Sequence, residues 1–178
     1  MSKVLILNGS PRKNGNTTKM VEEFVKSATN LGHEIFVENV AHLNIKGCMA
    51  CEYCHNQGQG VCVQKDDMQK IYPILKEVDT IIFASPVYYF TMSAQIQSVL
   101  QRSYALWTMP NLKKCGLILS SESSDVYDAI VSQFNSVISW WGAENLGIVT
   151  APGIHFNEDN SEHAQNKLKE VYNLALKV

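Results

Sequence analysis

From Gly9 to Thr18 the chain reads Gly-Ser-Pro-Arg-Lys-Asn-Gly-Asn-Thr-Thr, a run rich in small residues, cations and short polar side chains. If a helix begins at its end, unpaired N–H groups and a partial positive charge face any anion placed there. Ser10, Asn16, Thr17 and Thr18 can add side-chain hydrogen bonds, and Arg12 a charge-assisted one. A plain helix cap at Asn16 or Thr17, with Gly15 easing the turn, needs far fewer donors than this. Two nucleotide loops can be tested directly. A Walker A loop has four residues between its glycines and then Lys, whereas here five separate Gly9 from Gly15 and Asn16 follows. A G-x-G-x-x-G fingerprint is broken at once by Ser10-Pro11. The pattern that remains is a cradle for a monophosphate.

A second set of reactive residues follows. Of five cysteines, Cys48, Cys51, Cys54 and Cys62 fall close together, and Cys115 stands apart in an apolar stretch that suits a buried core thiol. Three cysteines at successive two-residue gaps can wrap one corner of a [4Fe–4S] cube, with the fourth completing it. Zinc ribbons use two separated C-x2-C knuckles and match less well, and packed thiols without metal remain an alternative. Cys51-Glu52-Tyr53-Cys54-His55 also reads as a c-type haem motif. Haem attachment goes with export, and the short apolar run Val4–Leu7 is not a signal-peptide core. A reducing, cytoplasmic setting is therefore expected, where such clusters do metal or redox chemistry.

The elements that must carry these residues alternate. Strands are expected at 4–7, 34–37, 80–84, 116–119 and 146–150. Helices follow from the three- and four-residue apolar spacing of Met20, Val21, Phe24, Val25 and Ala28, then over 68–78, 92–106, 125–141 and 161–176. Asp66 or Asp67 can cap the helix at 68, Pro73 should kink or shorten it, and Gly142 should close the helix ending at Trp141. Residues 39–65 show no period, and a loop that long inside a compact domain is usually functional. Five strands alternating with helices make a doubly wound parallel sheet in the order 2-1-3-4-5, with helices on both faces. Its ligand belongs at the loops after strands one and three, where the winding reverses. Pro86 would expose a strand end there, and Tyr88, Tyr89 and Phe90 offer flat apolar surface for a planar ring.

Over 178 residues with a net charge of −2, Lys and Arg are dispersed, so neither nucleic acid nor an anionic membrane is an expected partner. One domain over 1–178 is expected, with the cysteine loop at about 39–65. The histidines at 33, 42, 155 and 163 read as surface or capping groups, and Trp107, Trp140 and Trp141 as core or subunit packing.

Gly9-Ser10-Pro11-Arg12 with Gly15-Asn16-Thr17 resembles the phosphate loop of the NADPH-dependent FMN reductase family. Ser85-Pro86-Val87-Tyr88-Tyr89-Phe90 resembles the family segment whose backbone and aromatic side chains line the isoalloxazine ring. Where relatives often carry a Gly-rich turn after strand four, this chain has Ser120-Ser121-Glu122-Ser123-Ser124. The cysteine segment, followed by Asp66-Asp67-Met68, resembles the motif of iron–sulfur flavoproteins, a branch of the same family. The resemblance implies a flavodoxin-like fold and FMN held by Ser10, Arg12, Asn16, Thr17, Thr18 and the segment Pro86, Val87, Tyr88, Tyr89 and Phe90. It implies NAD(P)H as electron donor and a small-molecule or protein acceptor, with the flavin rather than a side chain carrying the chemistry. The alternative it implies is an electron carrier for a protein partner, with FMN plus a [4Fe–4S] cluster on Cys48, Cys51, Cys54 and Cys62. It also implies a homodimer or homotetramer.

Overall fold

A computed structural model describes residues 1–158 and 160–178. In chain order it has β1 (Lys3–Asn8), α1 (Asn16–Asn30), β2 (Glu34–Glu38), α2 (Tyr53–Asn56), α3 (Met68–Glu77) and β3 (Thr80–Tyr88). Then come β4 (Thr91–Met92), α4 (Ala94–Ser103), β5 (Lys114–Ser121), α5 (Asp128–Trp141), β6 (Glu144–Pro152) and α6 (Glu162–Ala175).

Five strands pair in parallel in the order β2-β1-β3-β5-β6, which is the expected succession of the five long strands. The expectation of only five strands is corrected by β4, which pairs antiparallel with the end of β3, Val87 opposite Met92 and Tyr88 opposite Thr91. The turn between them is Tyr89-Phe90, both at positive φ (50° and 65°). Two-residue hairpins of this kind usually announce themselves with Asn or Gly, and two aromatic residues hide the signal.

Alternation along the strands builds two cores. Leu5, Leu7, Ile81, Phe83, Cys115, Leu117 and Leu119 pack with buried residues of α3, α4 and α5. Val4, Ile6, Ile82, Ala84 and Ile118 face the opposite way and pack with α1 and α6. Both faces are thus covered, which is why the strands read as continuous apolar runs. Cys115 is fully buried in β5, and burial pushes its thiol up to about 12 despite an opposing backbone hydrogen bond at Ile81. Gly142 takes the left-handed conformation that closes α5, with φ 69°. Pro73 does not shorten α3, which runs to Glu77; it sits on the exposed side, where its missing N–H breaks no buried pairing.

The segment expected as an aperiodic loop is partly structured. It contains a 3-10 turn at Val40–His42 and the single-turn helix α2. Asp66 and Asp67 tie it down: Asp67 accepts from Asn44 N (2.8 Å) and Asp66 from Lys46 N (3.1 Å). Neither carboxylate forms the expected cap in full, although Asp66 also accepts from Met68 N at 3.2 Å.

Gly9 fixes how near the first loop lies to α4. A Cβ there would strike Ser93 Oγ and come within 2.6 Å of Ile96 Cγ1. Gly9→Ala is expected to destabilise the chain by about 1–3 kcal/mol through overpacking. Denaturant unfolding would show a lower midpoint with an unchanged slope; an unchanged midpoint would refute the close contact.

Candidate functional site

The loop after β1 is shaped by side chains before it meets any ligand. Asn8, unremarked in the sequence, accepts from Ser10 N (3.1 Å) and donates to Asn39 Oδ1 (3.0 Å), which bends the chain out of the sheet. The Arg12 carbonyl gathers donors from Gly15 N (3.1 Å), Ser10 Oγ (3.3 Å) and Thr18 Oγ1 (3.0 Å). Gly15 stands at the N-cap of α1 with no side-chain cap; a Cβ there would lie 3.0 Å from Arg12 Cβ and 3.2 Å from Ser10 Oγ. The first turn of α1 therefore opens on solvent with its backbone N–H groups uncapped.

Besides Ser10, three more of the expected phosphate donors have partners within the chain. Asn16 Nδ2 donates to the Ile154 carbonyl and its Oδ1 accepts from Phe156 N (3.1 Å), clamping α1 to the loop after β6. Thr17 Oγ1 pairs with Ser120 Oγ at 2.7 Å, both buried, and clamps α1 to the end of β5. Thr18 turns back to Arg12 and does not reach the cleft.

Ser10, Arg12, Gly15, Asn16 and Thr17 form one wall of a cleft of about 250 Å³ at the carboxyl ends of the strands. Pro86, Val87 and Tyr88 of β3 form the second wall, and Ser120 and Ser121 at the end of β5 with Glu122 beyond it the third. Its position is the switch point between β1 and β3. His155, read from the sequence as a surface or capping group, also lines it, and its Nε2 lies 3.6 Å from Glu122 Oε2. Only the spatial return of β6 brings it there. Tyr89 and Phe90 do not line the cleft. They form the hairpin tip, 94% and 50% exposed, with their rings 5.9 Å apart. Tyr88 borders both this cleft and a neighbouring groove against α4.

All four clustered cysteines line a second pocket, closed over by Gln101, Arg102 and Tyr104 from α4 and the turn after it. Cys48 and Cys51 are exposed, and Cys54 and Cys62 are buried. The enclosed space is tight, about 20 Å³. Ala50, Glu52 and Gln59 all have positive φ, so the loop wraps in a conformation that side chains disfavour. Burial pushes the Cys54 thiol up, and neighbouring Cys62, Glu52 and Cys48 push it further. Among the described residues no three metal-ligating side chains are gathered as around one ion. One zinc ion at about 2.3 Å from each sulfur would need that closeness. His55 of the haem-like motif contacts the Tyr104 carbonyl (3.0 Å) and lies edge-on to Tyr104 and Trp107. Trp141 stacks on Phe83 at 6.2 Å, whereas Trp107 and Trp140 are exposed and belong to no core.

The doubly wound sheet and its switch-point cleft define a flavodoxin-like α/β protein. The family model for NADPH-dependent FMN reductase matches residues 2–163, and the chain belongs to that family. An iron–sulfur flavoprotein of Archaeoglobus fulgidus is 32% identical over 148 residues, 82% of this chain and 66% of that protein. One from Methanocaldococcus jannaschii is 36% identical over 104 residues, 58% of this chain and 53% of that protein. The chain thus spans about half to two thirds of the length of these curated relatives. An azoreductase structure from Bacillus anthracis superposes with a TM-score of 0.77 at 16% identity, covering 100% of both chains. Among the described residues no helix is long and apolar enough to cross a membrane.

The Asp66–Arg102 pair beside the cysteines gives an acid-sensitive signature. Burial raises the Asp66 pKa, but Arg102 and the N–H groups of Lys46 and Met68 outweigh it and hold the carboxyl below its ordinary value. A carboxylate whose folded pKa is depressed stabilises the fold above the unfolded value, about 3.9, and loses that contribution as pH falls through the folded value. Urea unfolding between pH 6 and 3 should therefore show stability falling below about pH 4, with a shallower fall in Asp66→Asn. Equal slopes would contradict the assignment.

Proposed function

We propose that this chain is an FMN-dependent oxidoreductase that takes electrons from NAD(P)H and passes them to a small-molecule or protein acceptor. The observation that carries it is the uncapped start of α1 opening on the switch-point cleft beside Ser10 and Arg12. The residues present fit FMN: the glycine at 15 lets the loop close on itself where a Cβ would crowd Arg12 and Ser10, and the donors suit a phosphate dianion. When bound, FMN supplies the hydride-accepting redox chemistry. The chain's own work is positional. The N–H groups of the first α1 turn, Ser10 and Arg12 hold the phosphate. Asn16 and Thr17 keep that turn fixed to β5 and β6, and so act on the phosphate chiefly by positioning donors. Pro86, Val87 and Tyr88 form the edge against which the ring system lies. Tyr89 and Phe90 extend that surface at the hairpin tip, where they can cover a bound donor or acceptor. Residues 1–178 act in this reading as one cytoplasmic domain that assembles as a homodimer or homotetramer.

Arg12→Gln should weaken FMN binding about ten- to a hundredfold, in line with losing one charge-assisted hydrogen bond of about 1.5–3 kcal/mol. Riboflavin, which has no phosphate, should bind both proteins equally. Fluorescence titration reads both; failure of the wild type to bind FMN would sink the proposal.

A second reading, an electron carrier holding FMN and a [4Fe–4S] cluster, is favoured by the four thiols on one pocket wall. It requires the exposed Cys48–Cys51 limb to give room for a cube. Anaerobic reconstitution should then yield about four iron and four sulfide per chain, and Cys54→Ala should lose most of both. Wild-type protein that takes up no iron and sulfide would remove this reading and leave the first intact.

A further inference from the structure

The last turn of α4 delivers a buried cation to the cysteine pocket. Arg102 is 1% exposed and lines the same pocket as Cys48, Cys51, Cys54 and Cys62. Its outer nitrogens are occupied. Nη1 donates to Asp66 Oδ2 (2.6 Å) and to the Lys46 carbonyl (3.0 Å), and Nη2 donates to Asp66 Oδ1 (3.1 Å). Nε is buried and has no partner among the described residues. An unmet charged donor is costly, more so than the roughly 1–3 kcal/mol of a neutral one, so it calls for an explanation.

The surroundings supply one. Arg102 shares this pocket with Cys62, and the Tyr72 hydroxyl fixes the end of α4 by donating to the Arg102 carbonyl at 3.0 Å. Neutral, packed thiols are weak acceptors and give a cation no reason to be there. A thiolate-bound iron–sulfur group carries net negative charge and accepts N–H bonds at sulfur, and both features set its potential. Asp66 is the orienter. Its carboxylate engages Nη1 and Nη2 as a fork and leaves Nε as the one guanidinium nitrogen with no partner among the described residues.

We propose that Arg102 is a positioning and charge-compensating residue for an iron–sulfur group in this pocket, its Nε–H donating to an anionic sulfur there. The proposal rests on the cluster reading above and adds to it a residue outside the cysteine motif.

The test uses the full chain, reconstituted anaerobically with ferrous iron and sulfide. The cluster's midpoint potential is followed by electron paramagnetic resonance during a redox titration. Arg102→Gln combined with Asp66→Asn removes both charges at nearly constant shape, and should shift the potential downward. Asp66→Asn alone leaves the cation uncompensated and should shift it upward. Arg102→Lys keeps the charge and should stay nearer the wild type than the double variant does. Circular dichroism and FMN binding establish that each variant folds. A merely structural pair would move the variants in one direction or not at all, and either result overturns the proposal. If Asp66→Asn does not fold, the lysine and double variants still decide it: equal potentials refute the role. Wild-type protein without iron would sink the cluster reading together with this inference. Iron-loaded protein with potentials insensitive to Arg102 would sink this inference alone.

Discussion

The backbone at Gly9 approaches the start of α4 so closely that no side chain fits between them, while the far end of the same helix carries Arg102 into a fork with Asp66. Nine residues at 1.5 Å each separate Ser93 from Arg102 by about 14 Å. Helix α4 is consequently pinned by the phosphate loop at one end and by the cysteine loop at the other. Ser93 N donates to Ser85 Oγ at 2.8 Å, which adds the end of β3 to the first anchor. Gln101 accepts from Cys48 N at 3.3 Å, which adds the loop backbone to the second. A shift of α4 would disturb both sites together, so their separation is a property of one rigid element rather than of two loops.

The same economy governs the first loop. A phosphate cradle needs donors, but it also needs the donors held still, and this chain divides the two tasks. Thr17 and Asn16 spend their side chains on Ser120, Ile154 and Phe156, and the α1 backbone gains fixed N–H groups in return. Preorganised donors lose less entropy when an anion arrives than mobile side chains do. Serine at position 120 serves this division of labour. Its hydroxyl is one half of the clamp.

Much of this was legible in the sequence, and the unread part has physical causes. Continuous apolar runs gave the five parallel strands, because a sheet covered on both faces leaves no polar alternation to confuse them. The loop Gly9–Thr18 was readable as an anion site because its donors are contiguous. Their individual roles were not, since Asn16 meets Ile154 and Thr17 meets Ser120 only across the folded sheet. His155 reached the cleft unnoticed for the same reason. The hairpin was missed because Tyr89 and Phe90 occupy backbone conformations that their types disfavour, and such strain has no sequence signature. Nothing in the sequence around Arg102 marks it; only its burial against Asp66 sets it apart.

Strain and burial then fall in the same places. Positive-φ non-glycine residues occur among the described residues in the cysteine loop, at the Tyr89-Phe90 tip and at Trp107, and each of these segments borders α4 or the turn after it. Such conformations persist only where surrounding contacts over-determine them. The contacts that do so here are those that pin α4, with Arg102 buried at its end and Met92 and Ser93 buried at its start. A buried ion pair adds little net stability against an apolar replacement, so the Asp66–Arg102 fork is better understood as fixing geometry. It holds the strained loop against the helix, and it leaves Nε of Arg102 buried without a partner among the described residues beside the pocket that the loop lines. Geometry of that kind is useful to a redox site, where a cation's position relative to sulfur sets how readily an electron is accepted.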